Sequence, residues 1–226
     1  MNWLYHFLDL IFPRTCITCQ NPLLKAEKEV CLNCLNDLAF LYDFQNLKDN
    51  KTYYQIAGLV PIQGAFSGFH FDKGGKLQAI LHQLKYNHKP ELGTILGEFL
   101  ATQLEKCPFP PHTIIIPIPL HKDKLKKRGY NQTLYIAKGL ANIWNLSINE
   151  KDFIRTKYTE TQTFKSKEER QKNVENIFDL VNPIHCPVLV VDDVITTGST
   201  LVSACKKLQE KGVPEIYVLT IASASS

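Results

Sequence analysis

The sequence predicts an α/β protein in which a parallel sheet is flanked by helices, with a small cysteine-rich module at the N-terminus. Strand patterns rich in β-branched residues alternate with helical patterns over most of the chain, which favours βαβ units. Near the C-terminus, the apolar run Val188–Val191 leads into two acids, a turn of small hydroxyl residues and a helical pattern. In open α/β sheets this order places a ligand site at the carboxyl ends of the strands.

The composition is that of a globular protein of ordinary size. The chain has 226 residues, of which 44% are hydrophobic and 21% charged, and its net charge of +4 permits an anionic partner without requiring one. We divide it into an N-terminal module over residues 1–50 and a larger domain over residues 51–226. No apolar run of about 20 residues predicts a spanning helix, and the first residues lack the cationic start of a signal peptide. We therefore expect a cytoplasmic protein, either free or associated with the inner face of the plasma membrane.

Two Cys-x2-Cys pairs predict a structural zinc site. Cys16 and Cys19 form the first pair and Cys31 and Cys34 the second, with eleven residues between the pairs. Each pair can direct two thiolates at one tetrahedral metal, and so short a module needs a metal because it cannot bury a core of its own. A redox pair or free thiols are the alternative, which two linked pairs disfavour. We interpret the other cysteines as buried apolar residues: Cys107, Cys186 and Cys205.

The segments on either side of the cysteines carry weaker signals. Met1–Phe12 has apolar residues at helical spacing, which predicts either a short helix docked on the core or a contact with a membrane surface or partner. Leu32–Leu41 predicts a short helix. Tyr53–Pro61 and Gly64–Phe71 together predict a β-hairpin within residues 51–72.

Helical patterns follow over Lys76–Tyr86 and Glu91–Leu104, and Pro90 is well suited to begin the second helix. Lys85 stands at the end of the first helix, in a run of cationic, aromatic and polar residues. A cation at a helix C-terminus is often solvated and interacts favourably with the helix dipole. The alternative is that Lys85, and Tyr86 beside it, face a ligand.

The apolar strand pattern Thr113–Ile118 stops at prolines and opens into a basic stretch. This stretch contains five cations: Lys122, Lys124, Lys126, Lys127 and Arg128. A basic loop between a strand and the next helix, here Thr133–Trp144, is a typical layout for an anion site. A solvated basic loop is the alternative.

The remaining patterns complete the alternating order. Phe153–Lys157 and Glu215–Ile221 predict strands, and Leu201–Lys211 predicts a helix. The polar stretch Tyr158–Gln171 follows the first of these strands, and Val174–Val181 leads toward the strand Val188–Val191.

The turn after Val188–Val191 predicts a phosphate site. Unpaired backbone N–H groups of the turn and of the helix N-terminus would face an anion, and Gly198 lets the backbone approach it closely. Hydroxyl donors come from Thr197, Ser199 and Thr200. Asp192 and Asp193 would repel a phosphate, so they suit sugar hydroxyls or a magnesium ion beside it.

The stretch Val188–Leu201 resembles the loop of the type I phosphoribosyltransferases that binds 5-phosphoribosyl 1-pyrophosphate (PRPP). The resemblance implies a phosphoribosyltransferase-like, Rossmann-type sheet in which the two acids hold the ribose hydroxyls and magnesium accompanies PRPP. The implied 5′-phosphate loop consists of Thr196, Thr197, Gly198, Ser199 and Thr200, and the implied pyrophosphate loop of Leu120, His121 and Lys122. Tyr158–Gln171 would be a mobile lid over the site, and Lys85 and Arg170 are candidate phosphate contacts.

Several spaced motifs together resemble the ComF family of competence-associated proteins. They are the cysteine quartet, Leu84-Lys85-Tyr86, Pro117-Ile118-Pro119-Leu120-His121, Arg128-Gly129-Tyr130-Asn131-Gln132, Gln162-Thr163 before Arg170 and Asn173, and the Asp-Asp loop. The resemblance covers nearly the full chain and implies a role in handling incoming DNA during natural transformation. Purine-salvage members of the wider superfamily often carry an acid at the position of Thr196, as a base toward the purine. A hypoxanthine- or guanine-type acceptor is therefore not expected.

Three functions are compatible with these features. The first is a PRPP-binding competence protein that handles single-stranded DNA, with Lys124, Lys126, Lys127 and Arg128 as candidate DNA contacts. The second is an active phosphoribosyltransferase, of the pentosyltransferase class, with an unidentified acceptor and no residue that stands out as catalytic. The third is an adaptor whose zinc module docks a helicase or another protein of the DNA-uptake machinery.

Overall fold

The computed structural model of the chain describes residues 13–104, 106–156 and 177–224. The α-helices are α1 (Leu32–Asn36), α2 (Lys51–Ala57), α3 (Lys76–Tyr86), α4 (Glu91–Thr102), α5 (Lys122–Arg128), α6 (Gln132–Trp144) and α7 (Ser199–Glu210), and a 3-10 helix spans Tyr42–Gln45. The strands are β1 (Gly64–Phe71), β2 (Ile114–Pro117), β3 (Ser147–Ile148), β4 (Phe153–Arg155), β5 (Phe178–Leu180), β6 (Val188–Ile195) and β7 (Ile216–Ala224). The predicted helix Met1–Phe12, the predicted lid Tyr158–Gln171 and Arg170 lie outside the described residues. None of the described helices is long and apolar enough to cross a membrane.

Five parallel strands form the main sheet, in the order β1-β7-β6-β2-β3. Strand β6 lies at its centre, where Val190 is paired with Val218 of β7 on one side and with Ile116 of β2 on the other. Val188–Val191 is fully buried because elements cover both faces of the sheet, which explains the continuous apolar run. Strands β4 and β5 form a separate antiparallel pair. The predicted parallel sheet flanked by helices is therefore confirmed.

The two faces of the sheet carry separate cores. Helices α3, α4 and α6 cover one face, here called the α6 face, and α2, α7 and the β4–β5 pair cover the other, here called the α7 face. Along β6, Leu189 and Val191 pack in the core of the α6 face, whereas Val188 and Val190 pack in that of the α7 face. This alternation is the two-residue period of a strand.

Helices α4 and α6 approach each other closely at glycines. A Cβ atom on Gly97 would lie 2.3 Å from the carbonyl oxygen of Ile136, and one on Gly139 would lie 2.2 Å from that of Thr94. Neither position accepts a side chain unless a helix moves, because packed atoms do not overlap to that extent. The contact fixes α6 and thereby its first residue, Gln132.

The predicted β-hairpin within residues 51–72 is wrong. Lys51–Ala57 is helix α2, whose N-cap residue Asn50 accepts a hydrogen bond from the backbone N–H of Tyr53 at 2.9 Å. Gly64–Phe71 is a strand, but it pairs in parallel with β7 from the far end of the chain. Aromatic residues give this region a strand-like local pattern, and the helix cap and the long-range pairing override it.

Two further elements differ from the prediction. The basic stretch Lys122–Arg128 is helix α5 and not a loop; His121 caps it, because its Nδ1 accepts a hydrogen bond from the backbone N–H of Asp123 at 3.3 Å. Strand β6 does not end at the acids but runs through them to Ile195, since the pairing with β7 continues that far. The two acids are therefore neighbouring strand residues.

The four predicted zinc ligands converge in the N-terminal module. The sulfurs of Cys16, Cys19, Cys31 and Cys34 all lie within 4.8 Å of one another, and those of Cys19 and Cys31 are 3.7 Å apart. Sulfurs bound to a tetrahedral zinc at about 2.3 Å are about 3.8 Å apart, so the quartet fits zinc. Burial raises the pKa of Cys16, but hydrogen bonds from Thr18 and from nearby backbone amides outweigh it and lower that pKa to about 6. This favours the thiolate form that binds metal.

The module is tied to the helices that follow it. Lys89 Nζ lies 2.7 Å from Glu29 Oε2, and Lys76 Nζ lies 2.5 Å from Asp37 Oδ2. Three of the four ligand cysteines are buried in the same core as α3 and α4. Loss of the metal should therefore also destabilise the packing of α3 and α4. The module boundary at residue 50 stays a prediction.

We expect Cys31→Ser to release zinc and to lower the melting temperature, because a structural zinc contributes directly to folding. Metal analysis should find about one zinc per wild-type chain and a large loss in the variant. The control is Cys107→Ser, since Cys107 is outside the quartet and only half-buried. A wild-type protein without zinc, or a variant that retains it, would contradict the site.

We expect Gly139→Ala to destabilise the protein by about 2 kcal/mol or more, because the added methyl group overlaps the backbone of α4. Denaturant unfolding measures the loss. Gly58→Ala is the matched control: its Cβ would meet only the carbonyl oxygen of Tyr54, at 3.8 Å, and the expected change is within about 0.5 kcal/mol. Equal stability of the two variants would refute the close approach.

Candidate functional site

The turn between β6 and α7 has the geometry of an anion site. Strand β6 ends at Ile195 and α7 begins at Ser199, with Gly198 between them in the left-handed region at φ 74°. The backbone here forms a shallow depression lined by residues Val194–Leu201. The first N–H groups of α7 have no partner within the helix, so they are available to an anion.

Hydroxyl groups line the same turn. The Oγ1 of Thr197 and the Oγ of Ser199 are 3.1 Å apart, and both residues are exposed, as is Thr196. Behind the turn, Gln55 of α2 donates a hydrogen bond to the carbonyl oxygen of Thr196 at 3.4 Å. The turn therefore combines accessible donors with support from a neighbouring helix.

Asp193 is the buried member of the acidic pair. Lys85 Nζ lies 2.8 Å from its Oδ2, and Gln132 Nε2 donates to the same oxygen at 3.0 Å. Its Oδ1 accepts a hydrogen bond from the backbone N–H of Val194 at 2.7 Å. One carboxylate thus joins the end of α3, the start of α6 and the end of β6.

Asp192 is half-buried and has a perturbed acidity. Burial and the neighbouring charge of Asp193 raise the pKa of Asp192 to about 7, while the backbone N–H of Asp193 and the cations Lys85 and Arg155 act in the opposite direction. A carboxyl group of this kind changes charge near neutral pH. It is therefore sensitive to any ligand that adds charge or hydrogen bonds beside it.

Four cations gather around the acids. The pKa of Lys124 is lowered by its burial and then by the positive charges of Arg155, Arg128 and Lys85, so these three cations all act on Lys124. Lys85 and Arg155 also act on Asp192. So dense a cluster of like charges beside only two acids favours an anionic ligand.

Sequence reasoning missed Arg155. It is the last residue of the short strand β4, and its guanidinium lies 5.5 Å from the centre of the Phe178 ring. Its charge acts on Asp192. The only local signal was a cation at the end of a strand pattern, and the pairing of β4 with β5, which brings Arg155 over Phe178, is a tertiary feature.

The predicted pyrophosphate loop follows β2 at the same edge of the sheet. The carbonyl oxygen of Ile118 accepts hydrogen bonds from Thr133 Oγ1 at 2.7 Å and from Asn131 Nδ2 at 3.0 Å, so the chain after β2 is anchored to the start of α6. His121 Nδ1 accepts a hydrogen bond from the backbone N–H of Asp123 and lies 3.3 Å from Asp123 Oδ2.

The other predicted site residues have different environments. Lys122, Lys126 and Lys127 are exposed on α5. Arg128 donates to Gln132 Oε1, and its guanidinium lies 5.6 Å from the centre of the Tyr86 ring. Lys85 meets Asp193, so its predicted contact with a phosphate would have to be additional to this ion pair.

Comparison with known proteins finds one family model and several relatives. Residues 7–44 match the family described as "Double zinc ribbon domain". Competence protein F of Haemophilus influenzae is 40% identical over 114 residues, which cover 49% of this chain and 50% of that protein. DNA utilization protein YhgH of Escherichia coli (strain K12) is 29% identical over 154 residues, which cover 65% and 67%.

Two solved structures are similar at low identity. A hypoxanthine phosphoribosyltransferase from Staphylococcus aureus is 18% identical, with a TM-score of 0.38 over 61% of this chain and 69% of that one. The allosteric regulatory enzyme of purine biosynthesis is also 18% identical, with a TM-score of 0.39 over 62% and 30%.

The most extensive of these sequence similarities is to Competence protein ComFC of Bacillus subtilis (strain 168), with 30% identity over 207 residues that cover 91% of this chain and 75% of that protein. The chain therefore belongs to the ComF family, of which Competence protein ComFC is a member.

Proposed function

We propose that this protein binds PRPP with magnesium at the carboxyl ends of β2 and β6, and that it serves natural competence by handling incoming single-stranded DNA. The observation that carries the proposal is the convergence of three features at one edge of the sheet. They are the hydroxyl-rich turn before α7, the acidic pair, and the four cations Lys85, Lys124, Arg128 and Arg155.

Each part of PRPP has a matching part of the site. The 5′-phosphate suits the turn Thr196–Thr200, whose donors are backbone N–H groups and hydroxyls. The ribose hydroxyls suit the acids, because a carboxylate accepts hydrogen bonds from them. The pyrophosphate, with its magnesium, suits the cations and the chain Leu120–Lys122.

Turnover is the alternative to binding alone. Transfer of the phosphoribosyl group has a sugar-cation-like transition state, so the protein would contribute mainly positioning and neutralisation of the leaving pyrophosphate. The position before the Thr-Gly pair is Thr196, which cannot serve as the acidic base of a purine-salvage enzyme. Release of pyrophosphate with a defined acceptor would establish an enzyme.

The competence role is supported by the family and by the names of its relatives, Competence protein F, Competence protein ComFC and DNA utilization protein YhgH. A surface beside the site suits single-stranded DNA. Lys126 and Lys127 are exposed on α5, and Tyr86 is 62% exposed, with the Arg128 guanidinium and the His82 ring against it. Cations next to an accessible aromatic ring can hold the backbone and stack a base.

We expect calorimetry to show binding of PRPP with magnesium, and Asp192→Asn to weaken it about tenfold or more, the effect of losing hydrogen bonds to a charged group. Because the pKa of Asp192 is about 7, the carboxylate forms as pH rises from 6 to 8, and wild-type affinity should increase over that range. The phosphates of PRPP also titrate, so the relevant quantity is the difference in pH dependence between wild type and variant. Asp37→Asn, in the N-terminal module, is the control. If Asp192→Asn has the same PRPP affinity and pH dependence as wild type, the proposed contact between Asp192 and the ligand is refuted.

We expect the double variant Lys126→Glu, Lys127→Glu to weaken binding of oligo(dT), measured by fluorescence anisotropy. The slope of log affinity against log salt concentration should become less steep by about 0.7 for each phosphate contact that is lost. Tyr86→Ala should weaken binding by about 1–3 kcal/mol at every salt concentration, because stacking is not ionic. The control Lys48→Glu with Lys206→Glu makes the same change of net charge at two exposed positions outside this surface. Equal effects of the two double variants would show only a general charge effect.

A further inference from the structure

The two acids of the pair belong to opposite faces of the sheet. Both lie within β6, which remains paired with β7 through and beyond them. Counting from the apolar residues before them, Asp193 continues the series of Leu189 and Val191 on the α6 face, and Asp192 continues that of Val188 and Val190 on the α7 face. The alternation breaks after the acids, where Val194 packs against the core of the α6 face and Ile195 in that of the α7 face. The contacts of Asp193 with α3 and α6 show that it still holds at the acids themselves. Neighbouring positions on a strand cannot make the same contacts.

The contacts of Asp193 agree with this placement. Lys85 and Gln132, which bind its Oδ2, come from α3 and α6, the helices of the α6 face. Its other oxygen accepts the amide of Val194, and the residue is only 6% exposed. Both carboxylate oxygens are thus engaged within the protein, and little of the side chain is left for a ligand.

Gln132 extends this arrangement. Its amide nitrogen donates to Asp193, and its amide oxygen accepts from Arg128, whose guanidinium lies against Tyr86. Lys85, Asp193, Gln132 and Arg128 form a connected set, here called the Asp193 bracket. The bracket holds two cations at the edge of the site in fixed positions.

Asp192 has different surroundings. The turn that would bind a phosphate leads into α7, and Ile195 and Leu201 on either side of it pack in the core of the α7 face. The strand position of Asp192 belongs to this face, and Arg155, from the β4–β5 pair of the same face, acts on it electrostatically. A sugar phosphate seated on the turn therefore has Asp192 on its own side of the sheet.

We propose that the acids have separate roles: Asp192 alone accepts hydrogen bonds from the ribose hydroxyls, whereas Asp193 is a positioning residue that holds Lys85 and, through Gln132, Arg128. This inference rests on the proposed function, because it divides the work of the same pocket. It departs from what the resemblance to type I phosphoribosyltransferases implies, namely that both acids contact the ribose hydroxyls. A buried ion pair that orients side chains is costly to break from one side, since the remaining charge is left uncompensated.

The test compares the affinities of the full chain for ribose 5-phosphate and 2-deoxyribose 5-phosphate, which differ only at the 2-hydroxyl, by calorimetry. Wild type should prefer the ribose compound by about tenfold or more, the effect of a hydrogen bond to a charged acceptor. Asp192→Asn should lose that preference. Asp193→Asn should weaken the binding of both sugars by a similar factor and leave the ratio of the two affinities unchanged. The reason is that it displaces Lys85 and Arg128 but leaves the contact with the 2-hydroxyl intact.

Two further variants keep the test decisive if Asp193→Asn does not fold. Lys85→Gln and Gln132→Met remove one arm of the bracket each, and each should lower affinity for both sugars while the ratio stays as in wild type. A melting curve of every variant shows that the comparison uses folded protein. The ratio of the two affinities is informative because a general loss of structure would weaken the binding of both sugars and leave the preference for the ribose compound unchanged.

Each result decides a separate question. If Asp193→Asn, or both bracket variants, lose the preference as Asp192→Asn does, the division of roles is overturned while the pocket stands. If wild type binds both sugars equally, the contact between Asp192 and the 2-hydroxyl is overturned. If wild type binds neither sugar nor PRPP, the proposed function itself fails.

Discussion

The pairing of β6 between β2 and β7 is the constraint on which the rest of the structure depends. Residues Val188–Val191 are fully buried and hydrogen-bonded to a strand on each side, so the position of β6 is determined by the whole sheet. The acids lie within this strand, and the hydroxyl-rich turn and the start of α7 follow it, so all three take their positions from it. The chain after β2 reaches the same edge because β2 is the parallel neighbour of β6.

Charge compensation is the second organising feature. Asp192 and Asp193 are neighbours, and such a pair is unfavourable at neutral pH unless cations or a proton intervene. Lys85 meets Asp193 directly, and Arg155 reaches Asp192 from another layer. Together with Lys124 and Arg128, these cations outnumber the two acids, an excess of positive charge that favours an anionic ligand.

Long-range contacts link the two modules. The cysteine quartet packs in the core that α3 and α4 share, and Glu29 reaches Lys89 in the chain between those helices. Helix α3 in turn carries Lys85, which belongs to the acidic pair. Helix α3 therefore links the metal site to the strand-end site.

The sequence by itself determined the parallel α/β fold, the cysteine quartet and the position of the turn before α7, because each depends on a local pattern: periodicity, ligand spacing, or a strand followed by small residues. Helix α3 is a further example, with the bounds Lys76–Tyr86 in both prediction and structure. Local pattern failed at α2 and β1, where a side-chain cap and a partner strand more than 100 residues away decided the outcome. Only the tertiary structure showed that the acids lie within β6, that Lys85 and Gln132 bind Asp193, and that Arg155 joins the site. These facts depend on which strands pair and which helix covers which face, and a one-dimensional pattern does not contain that information.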